Sequence, residues 1–176
     1  MATEGKQGQG RASRGRVLYT RGMSELAISS LRMDQCEAAS RVVVTNPIWT
    51  DRYRYPAERA AADLTEAIGR GDLVLGASDA SGLIGFAWVL PRGAFGRFPY
   101  LRLLAVDAKA HGSGAGRALL EKAEEMMRPA RQMLLMVSDF NDGAQRFYRR
   151  QGYARVGSCP DFLVDGIAEQ LWLKRL

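Results

Sequence analysis

Residues 103–120 decide the fold, and they read LLAVDAKAHGSGAGRALL. An apolar run ends at Asp107, three glycines alternate from Gly112 to Gly116, and a leucine-rich segment follows. This pattern predicts a buried strand, a tight turn and an amphipathic helix in succession. Alternating glycines let the backbone approach a ligand closely, and the N–H groups at the start of a helix favour an anion. The turn is therefore a candidate phosphate-binding site, although glycines alone are equally compatible with a plain strand-to-helix connection.

Two common phosphate-binding motifs do not fit this turn. A P-loop requires a lysine and then serine or threonine after its last glycine, whereas Arg117 and Ala118 occupy those positions. A dinucleotide-binding turn requires Gly-x-Gly-x-x-Gly/Ala directly after the strand. Its sixth position is Arg117 when counted from Gly112, and Leu119 when counted from Gly114. The third candidate is the pyrophosphate of coenzyme A.

Outward from this turn, strand-like and helix-like segments are interspersed, which predicts an α/β (α+β) fold with a single sheet. Asp34 is the predicted N-cap of a helix that ends near Val44, and Pro56 opens a second helix. A loop is predicted over 91–99. The apolar stripe of the helix after the glycines consists of Leu119, Leu120, Ala123, Met126 and Met127. The predicted strands are 26–31, 73–78, 83–90, 100–106, 132–137, 153–157 and 167–173, and two further helices are 114–128 and 142–151.

Composition and charge limit the classes of function. The chain has 176 residues, 47% hydrophobic and 25% charged, as expected for one globular domain. Its net charge is +6, but residues 1–21 carry five basic side chains against one acid. They are predicted to form a flexible basic tail before a single domain at 22–176, so nucleic acid is not an expected partner. No apolar run predicts a membrane span, and two cysteines without a disulfide framework favour a cytoplasmic setting.

Two motifs resemble the GNAT superfamily of acetyl-CoA-dependent N-acetyltransferases. Residues 103–120 are similar to motif A, in which a strand ending in valine precedes an Arg/Gln-x-x-Gly-x-Gly/Ala turn and a leucine-rich helix. Residues 141–153, NDGAQRFYRRQGY, are similar to motif B, in which an asparagine precedes an alanine, an aromatic–tyrosine pair and Gly-Phe/Tyr. The resemblance covers roughly residues 26–176. It implies a mixed, mostly antiparallel sheet of about six to seven strands flanked by helices, with a splayed strand pair that holds coenzyme A.

The resemblance also implies a role for each matching residue. The backbone of Leu104, Ala105 and Val106 would pair with the pantetheine arm of the co-substrate acetyl-CoA, and no metal would take part. Asn141 would contact the same arm, and Tyr148 would stand near the sulfur as general acid. The pyrophosphate would lie on the turn, whose residues are His111, Gly112, Ser113, Gly114, Ala115, Gly116 and Arg117. His111 departs from the Arg or Gln that is usual in the family, and the role of its side chain is left open.

The acceptor site in this family lies between the loop after the first helix and the C-terminal strands. Here those segments contain Trp49, Tyr53, Tyr55 and Glu169 as candidate substrate-binding residues. Aromatic faces beside an acid suit a cationic amine, although packing under a loop would account for the same aromatics. The resemblance implies transfer of the acetyl group to the primary amine of a small molecule by direct attack in a ternary complex. A protein or peptide N-acetyltransferase and a non-catalytic acyl-CoA-binding module remain alternatives.

The general base is left open by the sequence. Asp107, Asp139 and Glu169 are carboxylates near the expected cleft, each also typical of a solvated or capping residue, and an ordered water could serve instead. Homodimers that form through the C-terminal strands are common in the family, so a homodimer is compatible with the resemblance.

Overall fold

The computed structural model describes residues 17–21 and 24–176, which form eight strands and four α-helices. No helix in this range is both long and apolar enough to cross a bilayer. The strands are β1 (Val17–Arg21), β2 (Ser24–Ser30), β3 (Leu73–Asp79), β4 (Gly82–Ala94), β5 (Phe98–Val106), β6 (Gln132–Ser138), β7 (Ala154–Cys159) and β8 (Glu169–Arg175). The helices are α1 (Cys36–Val44), α2 (Ala57–Arg70), α3 (Ala115–Met127) and α4 (Asp142–Arg150).

One mixed sheet runs through the domain in the order β1-β2-β3-β4-β5-β6-β8-β7. Every neighbouring pair is antiparallel except β5 and β6, which confirms the mixed, mostly antiparallel sheet. The sheet has one strand more than the six to seven expected, because β1 pairs with β2 along its whole length. Val17–Arg21 therefore form a strand, although the sequence predicted a flexible tail over residues 1–21. Residues 1–16 of that predicted tail lie outside the described range.

Helices cover both faces of the sheet, and the alternation of β4 side chains shows the two layers. Phe86 and Trp88 lie in one apolar cluster with residues of α1 and α2. Ala87 and Val89 lie in the other, with residues of α3. Successive side chains of a strand point to opposite faces, so a largely apolar β4 forms the centre of a three-layer core.

The β4–β5 connection is shorter than the sequence predicts. Residues 91–99 were expected to form a loop, but β4 continues to Ala94 and β5 begins at Phe98. The turn between them is tight, with a positive φ at Phe95 (54°) and at Gly96 (65°). Pairing is irregular between Leu90 and Ala94. That irregularity accommodates Pro91 within the strand pair, because a proline cannot donate to a regular ladder.

The first helix begins later than expected. Asp34 is not its N-cap but lies in a 3₁₀ turn at Met33–Gln35, where its carboxylate pairs with the Arg32 guanidinium at 2.9 Å. α1 starts at Cys36 and follows this turn directly. The carboxylate pairs with a neighbouring side chain, and the first N–H of α1, that of Cys36, donates to the Met33 carbonyl of the 3₁₀ turn.

The buried stripe of α3 departs from the predicted one at its C-terminal end. Leu119 and Leu120 are fully buried, whereas Met126 is 44% exposed. Glu124 is buried in its place and accepts a hydrogen bond of 2.5 Å from Lys174 on β8. Apolar spacing alone could not reveal this partly buried ion pair between α3 and β8.

Two substitutions on α3 test the packing. Leu119→Ala is expected to lower the free energy of unfolding by about 3 kcal/mol, because it removes a fully buried side chain from the core. Met126→Ala, on the exposed side of the same helix, is expected to change it by less than about 0.5 kcal/mol. Urea unfolding followed by circular dichroism measures both values. Equal losses in the free energy of unfolding would show that the buried and exposed faces of α3 are assigned wrongly.

Candidate functional site

The two parallel central strands separate after a short contact. β5 and β6 pair only at Tyr100 with Leu134 and at Leu101 with Leu135. Beyond this point β5 continues to Val106 while pairing on its other edge with β4. The edge of β5 that faces β6 therefore has no strand partner over its last residues, and it can accept an extended ligand as an added strand.

A cavity of about 1010 Å³ lies where the strands separate. Its walls are the unpaired part of β5, the glycine turn before α3, the start and one face of α4, and the segment after α1. Of the cofactor-binding residues predicted from the sequence, those that line it are Leu104, Ala105, Val106, His111, Gly112, Gly114, Ala115, Gly116, Arg117, Asn141 and Tyr148. Ser113 does not line it.

The glycine turn presents unpaired amide groups to the cavity. Gly112 and Gly114 have φ values of 83° and 91°, a region that strains residues with a Cβ. Within the described part of the chain, no acceptor is found for the N–H groups of Gly112, Gly114, Gly116 and Arg117. These groups meet at the positive end of the α3 dipole, which is the arrangement that binds phosphate oxygens.

Two of the predicted amide donors are already used within the turn. The Ser113 N–H donates to the Ala110 carbonyl at 3.1 Å, and the Ala115 N–H donates to Ser113 Oγ at 3.3 Å. Ser113 therefore shapes the turn and does not contact a ligand with its N–H. The Arg117 side chain forms an exposed ion pair with Glu121, to which its Nε donates at 2.7 Å.

His111 is held against the end of β5. Its Nε2 lies 3.1 Å from the Val106 carbonyl oxygen, so the ring donates its Nε2 proton there. This contact fixes the backbone at the start of the glycine turn. The residue lines the cavity on its exposed side, and the structure gives its side chain a positioning role.

α4 places Asn141 and Tyr148 on the cavity wall. Asn141 caps the helix, because its Oδ1 accepts from the Ala144 N–H at 3.0 Å, and its amide NH₂ donates to no group in the described range. Tyr148 is 8% exposed, and its ring packs edge-on against Phe147 and Tyr153 at 5.1 and 5.7 Å. Its hydroxyl makes no hydrogen bond within residues 24–176.

Burial fixes the protonation state of Tyr148. Removal from water, with a smaller effect of the nearby Tyr100, raises the pKa of Tyr148 well above its usual value. The hydroxyl therefore stays protonated at physiological pH. It can donate a proton or a hydrogen bond to a group that becomes negative in the cavity.

The candidate acceptor residues separate into two groups. Trp49 and Tyr53 line the cavity and their ring centroids lie 5.5 Å apart. Tyr55 does not line it, because its hydroxyl donates to Asp63 of α2 at 2.8 Å and its ring packs beside Trp49. The assignment of Tyr55 to the substrate site is therefore not supported by its position. Tyr55 anchors the segment to α2, and Trp49 and Tyr53 form the wall.

Glu169 is buried and lines the cavity. It begins β8, is 3% exposed, and is paired in register with Ser138 at the end of β6. The Tyr53 hydroxyl donates to Glu169 Oε1 at 2.5 Å and is also hydrogen bonded to Ser138 Oγ. Sequence reasoning missed Ser138, and only the β6–β8 register brings it beside Glu169.

Across residues 17–21 and 24–176, no group of three or more His, Cys, Asp or Glu side chains is arranged to hold a metal ion. Cys36 is buried and Cys159 is half-buried, and both are free thiols.

Known proteins resemble the chain in sequence and in fold. The sequence model of the acetyltransferase (GNAT) family matches residues 43–153. The mycothiol acetyltransferase of Salinispora tropica is 33% identical over 87 residues, which is 47% of this chain and 28% of that protein. The matched part thus spans little more than a quarter of this relative.

Solved structures show the same fold. A GNAT-family protein from Desulfovibrio desulfuricans superposes with a TM-score of 0.74 at 21% identity, over 85% of this chain and 98% of that one. PaiA N-acetyltransferase from Thermoplasma acidophilum, crystallised in complex with coenzyme A, gives a TM-score of 0.66 at 21% identity, over 86% and 99%.

Proposed function

The chain belongs to the acetyltransferase (GNAT) family, and we propose from this membership that it transfers the acetyl group of acetyl-CoA to the primary amine of a small molecule. One observation carries the proposal: free amide groups, an unpaired strand edge and a protonated tyrosine line the same cavity. Gly112 and Gly114 supply the amide groups, β5 supplies the strand edge, and Tyr148 supplies the hydroxyl. These are the groups that an acyl thioester with a pyrophosphate requires.

Each part of acetyl-CoA has a complementary surface. The pyrophosphate would accept hydrogen bonds from the turn N–H groups at the positive end of α3. The pantetheine amides would pair with the free edge of β5, where Leu104 and Ala105 line the cavity. A β5 N–H in this edge would polarise the thioester carbonyl, because an amide donor stabilises the oxygen as it becomes negative.

The chemical step needs no covalent intermediate. A neutral amine attacks the thioester carbon, the C–N bond forms, and the C–S bond breaks with its electron pair on sulfur. Tyr148 would give its hydroxyl proton to the leaving thiolate, since burial keeps that hydroxyl protonated. Neither free thiol is a candidate nucleophile, because Cys36 is buried among apolar residues of α1 and α2 and Cys159 lies outside the cavity.

The lining of the acceptor end supports a small molecule. Trp49, Tyr53 and Glu169 line the cavity, whose volume of about 1010 Å³ would be shared by both substrates. A protein or peptide acceptor would require Trp49, Tyr53 and Glu169 to leave a wider groove.

We also propose a cytoplasmic setting, on the ground that both cysteines are free thiols in the structure.

Release of the coenzyme A thiol tests the proposal. Purified protein is incubated with acetyl-CoA and a panel of primary alkyl, arylalkyl and diamine compounds, and free thiol is measured with a thiol-reactive dye. The proposal predicts amine-dependent release for at least one class. Tight binding of acetyl-CoA without release by any amine would favour a non-catalytic acyl-CoA-binding module.

A further inference from the structure

Glu169 is a buried carboxylate without a cationic partner. It is 3% exposed, yet among the ion pairs of the described residues none includes it. Burial of an unpaired charge is costly, and buried carboxylates in proteins are usually paired with a cation or a metal. Because Glu169 lines the cavity, a cation that occupies the cavity can supply the missing partner.

Hydrogen bonds hold this carboxylate as an acceptor. Tyr53 has one hydroxyl proton and donates it to Glu169 Oε1, so Ser138 Oγ must donate to the Tyr53 oxygen. The hydrogen bonds thus run from Ser138 to Tyr53 and from Tyr53 to Glu169, whose carboxylate oxygen only accepts. Glu169 Oε2 accepts no hydrogen bond from residues 24–176, and it is the oxygen left for a ligand.

The surroundings of the carboxylate suit an organic cation. Burial, with the hydrogen bond to Glu169, raises the pKa of Tyr53 above its usual value, so the ring stays neutral. The Trp49 ring lies 5.5 Å from the Tyr53 ring and offers an aromatic face. The other charged or titratable groups that face this corner are Asp139 after β6 and Tyr100 and Arg102 on β5.

We propose that Glu169 is the general base of the transfer and the site that selects a cationic primary amine. Its carboxylate would bind the ammonium group and take one proton from it, which leaves the neutral amine free to attack. Tyr53 and Ser138 are positioning residues that fix the carboxylate. This inference rests on the proposed acetyl transfer, and it adds to it the identity of the base and the charge of the acceptor.

The protons balance over the reaction. One ammonium proton passes to Glu169 and then to solvent. The nitrogen loses a second proton after the C–N bond has formed, and this proton restores the Tyr148 hydroxyl that has protonated the thiolate. The products are the amide, the coenzyme A thiol and one released proton. Glu169 and Tyr148 line the same cavity, as this exchange requires.

Glu169→Gln is the first test, because it keeps the shape and the Tyr53 hydrogen bond while it removes the charge. With the most active amine of the panel, kcat/KM is expected to fall at least about a hundredfold. The coenzyme A affinity, measured by calorimetry, is expected to stay within about twofold. Glu58→Gln is the matched control, since it makes the same replacement at an exposed carboxylate of α2 that does not line the cavity, and it should change kcat/KM by less than about threefold.

A binding measurement checks the charge preference without turnover. In the presence of coenzyme A, 2-phenylethylamine should bind the wild-type protein at least about tenfold more tightly than its neutral counterpart 2-phenylethanol. Glu169→Gln should abolish this difference. If the wild type binds coenzyme A but no cationic amine of the panel, the assignment of the acceptor is wrong.

Tyr53→Phe separates positioning from packing. Loss of the donated hydrogen bond leaves the carboxylate unoriented, so kcat with the amine should fall about tenfold while the affinity for coenzyme A stays within about twofold. An unchanged kcat would remove Tyr53 from this role. Amine acetylation that is equally fast in Glu169→Gln would overturn the base assignment and leave the acetyl transfer standing. Failure to bind coenzyme A would overturn both.

Discussion

Tyr148→Phe is expected to lower kcat by about ten- to a thousandfold while the affinity for coenzyme A changes by less than about twofold. The substitution removes only the hydroxyl, and the ring keeps its edge-on contacts with Phe147 and Tyr153. The reason is that the hydroxyl has no hydrogen-bond partner in the described residues and stays protonated in its buried position. The thiolate would then have to leave without a proton donor. Steady-state kinetics with saturating amine measures the effect.

Tyr153→Phe is the matched control for this prediction. Tyr153 is 2% exposed and its ring contacts that of Tyr148, but it does not line the cavity. Its replacement should leave kcat within about twofold. Equal losses of activity in both variants would indicate a packing effect of the tyrosine pair, and no loss in Tyr148→Phe would exclude this residue as the acid.

Gly114→Asp is expected to weaken coenzyme A binding by about ten- to a hundredfold relative to Gly114→Asn. Both side chains tolerate the positive φ of 91° at this position better than most residues, and both are good helix N-caps. Their backbone strain is therefore similar. The aspartate places a negative charge among the free N–H groups of the turn, where it repels the pyrophosphate and competes for the same donors.

The comparison of the two variants isolates charge from shape. Calorimetry at low and at physiological salt measures both affinities, and the difference should shrink as salt increases, because the turn is partly solvated. Two variants that bind coenzyme A equally well would show that the pyrophosphate does not lie on this turn. Loss of binding in Gly114→Asn alone would indicate that a side chain at this position disturbs the conformation of the turn.

The strand, turn and helix around the glycines could be predicted because their determinants are local. The glycines at 112 and 114 adopt positive φ, and the leucines at 119 and 120 are buried, as the pattern requires. The two motifs also predicted that Asn141 and Tyr148 lie at the same site, and both line the cavity. Local sequence did not show that Ser113 Oγ accepts a hydrogen bond from the Ala115 N–H. This contact removes one of the amide donors predicted for the pyrophosphate.

The resemblance named three of the residues at the candidate acceptor site, Trp49, Tyr53 and Glu169, but their hydrogen bonds could not be predicted because the partners are distant in sequence. Tyr53 and Glu169 are hydrogen bonded although 116 positions separate them. Tyr53 and Tyr55 look equivalent in the sequence, and only Asp63 on α2 directs the second hydroxyl away from the cavity. β1 was missed for a related reason, since a short strand in a basic segment depends on its pairing with β2.

A crystal structure with coenzyme A bound is the most direct test of the account. It should show the pyrophosphate oxygens about 2.7–3.2 Å from the N–H groups of the glycine turn at Gly112 and Gly114. The pantetheine arm should follow the free edge of β5, with its sulfur beside the Tyr148 hydroxyl. Coenzyme A bound elsewhere on the protein, or a cavity that stays empty at saturating concentration, would contradict the account.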